Sequence, residues 1–137
     1  MKSVIVIGGG AAGLMAAGTA AKEGHRVTLI EKNKILGRKV LITGKGRCNV
    51  TNNCEINEFI ESVPVNGRFL YSAINAFTPK DTMNFFENLG VPLKTERGNR
   101  VFPVSDRSAD IVNALKKYNK GVNIIKVIYM LLKEKKE

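Results

Sequence analysis

The sequence predicts an α/β fold that starts with a parallel βαβ unit, and three consecutive features support this. Residues 4–7 form a short apolar, β-branched run, which is typical of a parallel strand buried on both faces. Residues 13–22 contain many small side chains and predict a helix that packs closely on this strand and ends at Gly24. Residues 25–31 predict a second strand. Two strands joined by one helix within about 30 residues form a right-handed βαβ unit.

The chain that follows predicts a long loop and then a helix. Residues 32–53 are rich in Gly, Lys, Arg, Asn and Thr, so we expect a functional loop with little regular structure. A helix is predicted over residues 69–77. The phenylalanines of this region lie at helical spacings and are expected in the core: Phe69, Phe77, Phe85 and Phe86.

A second helix has recognisable start and stop signals. Thr78 is predicted to cap it, with Pro79 at its first position and Asp81 in its first turn. Gly90 is expected to end it. The apolar residues that this helix is predicted to bury are Met83, Phe86 and Leu89.

The last third of the chain predicts a hairpin, a helix and a strand. The hairpin is expected to turn at Gly98 and Asn99. Either Ser105 or Ser108 is expected to cap a helix that runs to about Tyr118. A final strand is predicted over residues 122–130.

The composition is that of one globular domain. The chain has 137 residues, of which 44% are hydrophobic. Its two cysteines do not make a disulfide framework, so a cytoplasmic location is expected. We predict no membrane span, because the longest apolar stretch, residues 122–132, is interrupted by Asn123 and Lys126. We predict no signal peptide, because Lys2 is the only charged residue before the apolar residues 4–7, and the chain then becomes glycine-rich.

The formal net charge of +10 favours anionic partners, such as nucleic acid, a phosphorylated cofactor or an acidic surface. The lysines of the C-terminal end are interpreted as a solubilising face. A second basic run follows the βαβ unit and contains no acidic residue: Lys32, Lys34, Arg38, Lys39, Lys45 and Arg47.

The glycine pattern between the first strand and the first helix predicts a dinucleotide site. Gly8, Gly10 and Gly13 are spaced as G-x-G-x-x-G in the strand-turn-helix context that makes this pattern informative. Gly8 permits the tight turn, Gly10 lets a pyrophosphate approach the backbone, and Gly13 lets helix and strand pack closely. The start of the helix then offers unpaired N–H groups and a partial positive charge to the phosphates.

Glu31 predicts which nucleotides bind. It ends the second strand, 18 residues after Gly13, close to the spacing of about 20 residues expected for an acid that binds ribose hydroxyls. A carboxylate there repels a 2′-phosphate. We therefore expect a nucleotide with a free 2′-hydroxyl, such as FAD or NAD, rather than NADP.

The opening stretch resembles the glutathione-reductase-like class of flavoproteins, which have a Rossmann-like, FAD-binding βαβ core. Two further stretches, LGRKVLITGKGRCNVTN (residues 36–52) and RGNRVFPVSDRSADIVNAL (residues 97–115), resemble the BaiN-type, aminoacetone-oxidase-like family of bacterial NAD(P)/FAD-dependent oxidoreductases. The resemblance extends to about Lys120 and covers only the N-terminal portion of such proteins. It implies that residues 1–137 are part of a single Rossmann-like domain that is incomplete at the C-terminus, without the substrate domain and the final FAD-binding segment.

The resemblance also implies a set of cofactor contacts. Glu31 would hold the adenosine ribose and Lys32 would lie by the adenine, while Arg38 and Lys39 would approach the phosphates. The FAD pyrophosphate would be lined by Gly8, Gly10, Ala11, Ala12 and Gly13. The residues that would pass near the flavin are Gly44, Lys45, Gly46, Arg47, Cys48 and Asn49, with Thr51 and Asn52 bracing the loop.

The side chains do not predict a catalyst of their own. Cys48 and Cys54 are separated by five residues, whereas the redox disulfide of glutathione-reductase relatives has four. The cysteines and His25 do not form a zinc ligand set of usual spacing. No catalytic residue is assigned, since in a flavoenzyme the isoalloxazine carries the redox chemistry.

By resemblance, the expected function is the FAD-binding part of an oxidoreductase that transfers hydride or electrons between NAD(P)H and a small organic substrate. Two alternatives remain: a nicotinamide-only dehydrogenase domain, and a truncated, non-catalytic basic fragment. No nucleic-acid partner is expected, because no RNP-like, helix-turn-helix or zinc-finger pattern occurs. We expect the chain to need the missing C-terminal part of the same protein and to bind FAD only weakly alone.

Overall fold

The computed structural model of the protein describes residues 1–127. They form two compact units, one of residues 1–38 and 119–127 and the other of residues 39–118. In chain order the elements are β1 (Ser3–Ile7), α1 (Ala11–Lys22), β2 (Arg26–Glu31), α2 (Arg38–Ile42), β3 (Thr51–Asn52), α3 (Ile56–Glu61), α4 (Tyr71–Ala76), α5 (Pro79–Asn88), β4 (Leu93–Glu96), β5 (Arg100–Pro103), α6 (Ser108–Tyr118) and β6 (Asn123–Lys126), with 3-10 turns at Thr43–Gly46, Gly67–Leu70 and Arg97–Asn99.

The first unit contains a parallel sheet with the strand order β1-β2-β6. β1 pairs with β2 in the register Ile7↔Ile30, and β2 pairs with β6 in the register Glu31↔Lys126. Helix α1 connects β1 to β2, which confirms the predicted parallel βαβ unit. The buried apolar residues of these elements include Leu14, Ala17, Val27 and Leu29.

The prediction that the first strand is buried on both faces is wrong. Ile5 and Ile7 are 68% and 84% exposed, although α1 packs on the sheet. Successive side chains of a strand point to opposite faces, so one helix covers only one of them. The register places Ile7 beside Ile30 and Ile30 beside Ile125, and this row of the sheet is half-buried or exposed. An apolar run predicts a strand but does not reveal which face is covered.

The second unit contains an antiparallel sheet with the strand order β3-β5-β4. β4 and β5 pair from Leu93↔Pro103 to Glu96↔Arg100, which confirms the predicted hairpin. Its turn contains Gly98 and Asn99 with φ of +73° and +57°, and Asn is one of the few non-glycine residues that tolerate this region.

Helix α5 begins as predicted. The Thr78 hydroxyl accepts a hydrogen bond from the Asp81 N–H at 3.0 Å, and the Asp81 carboxylate accepts one from the Thr78 N–H at 2.9 Å. This reciprocal pair is a capping box that satisfies two helix-end donors. Met83 and Phe86 are buried, whereas Leu89 is half-buried.

Short helices account for most of the other differences. Residues 32–53 were predicted to have little regular structure, but they contain α2, a 3-10 turn and β3. The helix predicted over residues 69–77 divides into a 3-10 turn and α4. Phe69 and Phe77 are 80% and 40% exposed, so the prediction that they lie in the core is wrong. Helix α3 was not predicted. Elements of five or six residues are too short to show a clear hydrophobic period.

Neither predicted serine is the cap residue of α6. Ser108 is the first helical residue, and its buried hydroxyl donates to the Leu41 carbonyl at 2.8 Å. The Ser105 hydroxyl donates to the Asp110 carboxylate at 2.6 Å. The final strand is present as β6, and residues 128–130 of that prediction lie outside the described residues. Within residues 1–127, none of the helices has the length and apolar character that a membrane crossing needs.

Candidate nucleotide-binding site

The turn between β1 and α1 has the geometry that the glycine pattern predicts. Gly8 adopts a φ of +99°, a region that side-chain-bearing residues rarely occupy, and its N–H donates to the Ile30 carbonyl at 2.8 Å. A Cβ atom on Gly13 would lie 1.8 Å from the Gly8 carbonyl oxygen. Only glycine at position 13 therefore allows the helix to approach the turn this closely.

The start of α1 is open. Gly10 is the N-cap residue, and the Leu14 N–H donates to its carbonyl at 2.9 Å as the first hydrogen bond of the helix. The N–H groups of Ala11, Ala12 and Gly13 precede that bond and so have no partner within the helix. Gly10, Ala11 and Ala12 are exposed, and a Cβ on Gly10 would meet no atom within 4 Å. This space, bordered by free main-chain donors, fits a diphosphate.

Glu31 lies beside this turn and is buried, with only 6% of the residue exposed. Its Oε2 atom accepts a hydrogen bond from the Gly9 N–H at 2.5 Å. Its Oε1 atom accepts from the Asn33 N–H at 2.6 Å and from Asn33 Nδ2 at 2.7 Å. The backbone N–H of Asn33 does most to lower the pKa of Glu31, and the Gly9 N–H adds to this, while burial acts in the opposite direction. The carboxylate is therefore ionised at neutral pH.

Two residues of this arrangement were not singled out from the sequence. A Cβ on Gly9 would lie 2.4 Å from Leu36 Cδ2 and 3.1 Å from Glu31 Oε2, so the middle glycine of the GGG run makes room for both side chains. The Gly9 carbonyl also accepts from the Gly37 N–H at 2.7 Å. Asn33 was missed as well, although asparagine is a residue type that favours turns.

The structure thus brings together the predicted residues of the first unit: Gly8, Gly10, Ala11, Ala12, Gly13 and Glu31. The basic residues predicted beside them, Lys32, Arg38 and Lys39, are exposed. Lys32 follows Glu31 directly in the chain, and Arg38 begins α2. Their charges are available at the surface to an anionic ligand.

The predicted flavin loop, residues 44–49, belongs to the second unit and has an unusual backbone. Gly44, Lys45, Gly46 and Cys48 all have positive φ, between +56° and +87°. For Lys45 and Cys48 this conformation costs roughly 1–2 kcal/mol each. Lys45 is exposed and Cys48 is buried, while the exposed Asn49 turns its side-chain amide toward the carbonyls of Thr51 and Val101.

Arg47 is held by acids of its own unit. Its guanidinium lies 2.5 Å from Glu96 Oε1 and 2.6 Å from Asp106 Oδ1, and 4.1 Å above the ring centroid of Phe102. Lys94 Nζ lies 2.8 Å from Asp106 Oδ2. We call these five residues the Arg47 cluster. The hydrogen bonds that Arg47 donates to Glu96 and Asp106 raise the pKa of Arg47, whose charge is largely balanced within the cluster.

The two cysteines are free thiols. Burial raises the pKa of Cys48 and is also the largest cause of the raised pKa of Cys54. Both are therefore protonated and weakly nucleophilic at neutral pH. In the described part of the chain, no group of three or more His, Cys, Asp or Glu residues is arranged to hold a metal ion.

Residues 2–131 match the family model described as the HI0933-like protein Rossmann domain. The chain belongs to this family. The assignment confirms the resemblance inferred from the residue 36–52 and 97–115 motifs, and it identifies the chain as a nucleotide-binding Rossmann domain of an oxidoreductase family.

Two curated relatives of this chain are much longer than the chain itself. It is 34% identical over 120 residues to the 3-dehydro-bile acid delta(4,6)-reductase of Clostridium scindens, a match that spans 84% of this chain and 28% of that protein. It is 35% identical over 112 residues to the ribosomal RNA dihydrouridine synthase of Escherichia coli, spanning 81% of this chain and 27% of that protein. This chain thus spans little more than a quarter of the length of either relative.

A solved structure supports the fold. The crystal structure of THI4 from Thermovibrio ammonificans superposes with a TM-score of 0.52 at 18% identity, covering 91% of this chain and 38% of that chain. The predicted Rossmann-like α/β fold class is confirmed.

Proposed function

We propose that this chain is the FAD-binding part of a flavin-dependent oxidoreductase. The observation that carries the proposal is the ionised, buried carboxylate of Glu31 beside the open N-terminus of α1. These two features match two adjacent parts of an ADP group, because the helix start suits the diphosphate and the acid suits a ribose with free hydroxyls. Similarity to proteins named as reductases supports the redox part of the proposal.

Each residue of the site would have a binding role rather than a chemical one. The N–H groups of Ala11, Ala12 and Gly13 would donate to the diphosphate, and the missing side chain of Gly10 leaves room for it. Glu31 would accept a hydrogen bond from the ribose 2′-hydroxyl. When bound, FAD supplies the hydride and electron chemistry, with NAD(P)H as the proposed donor and a small organic molecule as the proposed substrate.

The exposed basic residues after β2 would contribute long-range attraction. Lys32, Arg38 and Lys39 lie at the surface and offset the negative charge of a dinucleotide. Arg47 is less suited to this role, because Glu96 and Asp106 already neutralise its charge. We propose that the remaining contacts to the flavin come from the longer protein of which this chain corresponds to a part.

The direct test is a titration of the 137-residue chain with FAD, followed by flavin fluorescence and absorbance. We expect saturable binding weaker than micromolar, and a loss of binding in Gly10→Ala, whose Cβ enters the diphosphate space. Gly121→Ala is the matched control, because a Cβ there also meets no atom within 4 Å. Unperturbed flavin signals, or binding that Gly10→Ala does not weaken, would contradict the proposal. Binding of NAD without FAD would favour the nicotinamide-only alternative.

A second candidate is a flavin reductase that acts on RNA. The net charge of +10 and the similarity to a ribosomal RNA dihydrouridine synthase support this second candidate. Measurements of RNA affinity at two salt concentrations, with RNAs of different sequence, distinguish the two candidates. An RNA substrate predicts an affinity that falls steeply with salt and differs between RNA sequences, whereas a small-molecule enzyme predicts weak binding without sequence preference.

A further inference from the structure

The turn after β2 makes an unusual double contact with Glu31. Asn33 donates to the same carboxylate oxygen, Oε1, from its backbone N–H at 2.6 Å and from its side-chain amide at 2.7 Å. The other oxygen, Oε2, accepts from the Gly9 N–H at 2.5 Å. One oxygen thus faces the phosphate turn, and Asn33 holds the other.

These donors are uncharged, so they fix the carboxylate without neutralising it. A glutamate side chain has three rotatable torsions, and the backbone N–H groups of Gly9 and Asn33 limit their rotation by holding one carboxylate oxygen each. The Asn33 side-chain amide adds a second donor on Oε1 and restricts the rotation of the carboxylate further. The carboxylate therefore stays in one position at the site. There it can accept a hydrogen bond from a ribose 2′-hydroxyl, and its negative charge repels a 2′-phosphate.

We propose that Asn33 is a positioning residue that orients the Glu31 carboxylate and thereby sets the preference for nucleotides with an unmodified ribose 2′-hydroxyl. This inference rests on the proposed function, since it assigns Asn33 to the same ADP-binding site. The residue acts through Glu31 and has no part in the redox step.

The alternative is that Asn33 serves only as a turn former. Asparagine and aspartate both form such turns readily, so Asn33→Asp preserves that role. The same change replaces the donor beside Glu31 with a second carboxylate, which repels it. Asn33→Asp therefore separates the two explanations, and Asn33→Ala removes the amide without adding charge. Asn84→Asp, on the exposed face of α5, is the matched control for the charge change.

The experiment is NMR titration of the ¹⁵N-labelled 137-residue chain and these variants with ADP-ribose and with its 2′-phosphate. The wild-type chain should prefer ADP-ribose, with shifts at the amides of Gly9 to Gly13. Asn33→Ala should weaken ADP-ribose binding by about fivefold and reduce the preference for ADP-ribose over its 2′-phosphate. Asn33→Asp should weaken it by about tenfold or more, and Asn84→Asp should behave as wild type. Wild-type affinity and preference in both Asn33 variants would overturn the inference.

The ligand-free spectra test Asn33 independently of nucleotide binding. If Asn33 orients the carboxylate, the Gly9 amide proton should shift in Asn33→Ala and Asn33→Asp, because its acceptor has moved. An unchanged Gly9 resonance in both variants overturns the inference. If the wild-type chain does not respond to ADP-ribose while the Gly9 resonance does shift in the variants, the proposed function fails and the positioning contact stands.

Discussion

Two regions of this molecule hold carboxylates with lowered pKa values, and they do so by different means. In the first unit, Glu31 is 6% exposed and is stabilised by the neutral N–H groups of Asn33 and Gly9. In the second, Glu96 and Asp106 are partly exposed, with Arg47 the largest cause for Glu96 and Lys94 for Asp106. Because its donors are neutral, Glu31 keeps a net negative charge that can act on a ligand. In the Arg47 cluster, by contrast, the positive and negative side chains neutralise one another. The difference indicates a binding role for the first region and a structural role for the second.

The largest expected effect lies at the backbone of the first region. Gly13→Ala places a Cβ 1.8 Å from a backbone carbonyl, so we expect a loss of about 3 kcal/mol or more in the free energy of unfolding. Gly10→Ala adds the same atom in open space and should leave stability nearly unchanged. Urea denaturation followed by circular dichroism measures both. Equal losses in the two variants would show that the turn is not packed as described.

Removal of the carboxylates compares the two regions directly. Glu31→Ala leaves the buried Gly9 N–H without its acceptor, and we expect a loss of about 2–3 kcal/mol. Glu96→Ala should cost less, because its partners remain solvated and Arg47 keeps its contact with Asp106. The same denaturation experiment measures the two variants. A larger loss for Glu96→Ala would reverse the comparison.

The pH dependence of stability should differ with and without Glu31. The pKa of Glu31 is lower in the folded than in the unfolded state. Its contribution is therefore fully present above the unfolded-state pKa and is lost as the pH falls through the folded-state value. The stability difference between wild type and Glu31→Gln should shrink as the solution becomes acidic below pH of about 4.5. A difference that grows toward low pH would contradict the assigned direction.

Salt should give the smallest effect and the clearest contrast. Screening weakens attraction between exposed charges, so the stability lost in Asp106→Asn should decrease between low salt and about 1 M NaCl. The loss in Glu31→Ala should change little, because its partners are uncharged and the carboxylate is buried. Thermal unfolding at the two salt concentrations tests this. A salt response of equal size in both variants would remove the distinction.

Sequence motifs correctly predicted the parts of the fold that depend on contacts between residues close in sequence. The glycine turn, the acid at the end of β2 and the Thr78–Asp81 capping box each depend on residues near in sequence or on a fixed spacing, and all are present. The pairing of Arg47 with Asp106 crosses 59 residues, and a basic run in the sequence contains no signal for it. The exposed face of β1 was missed for a similar reason, since coverage by other elements is a property of the tertiary structure.

A crystal structure of the chain with ADP-ribose would show whether the start of α1 and Glu31 together hold an ADP group. We expect diphosphate oxygens within hydrogen-bonding distance of the N–H groups of Ala11, Ala12 and Gly13, with the adenosine ribose 2′-hydroxyl donating to the Glu31 carboxylate. A diphosphate bound at another surface, or a ribose that does not contact Glu31, would contradict this proposal.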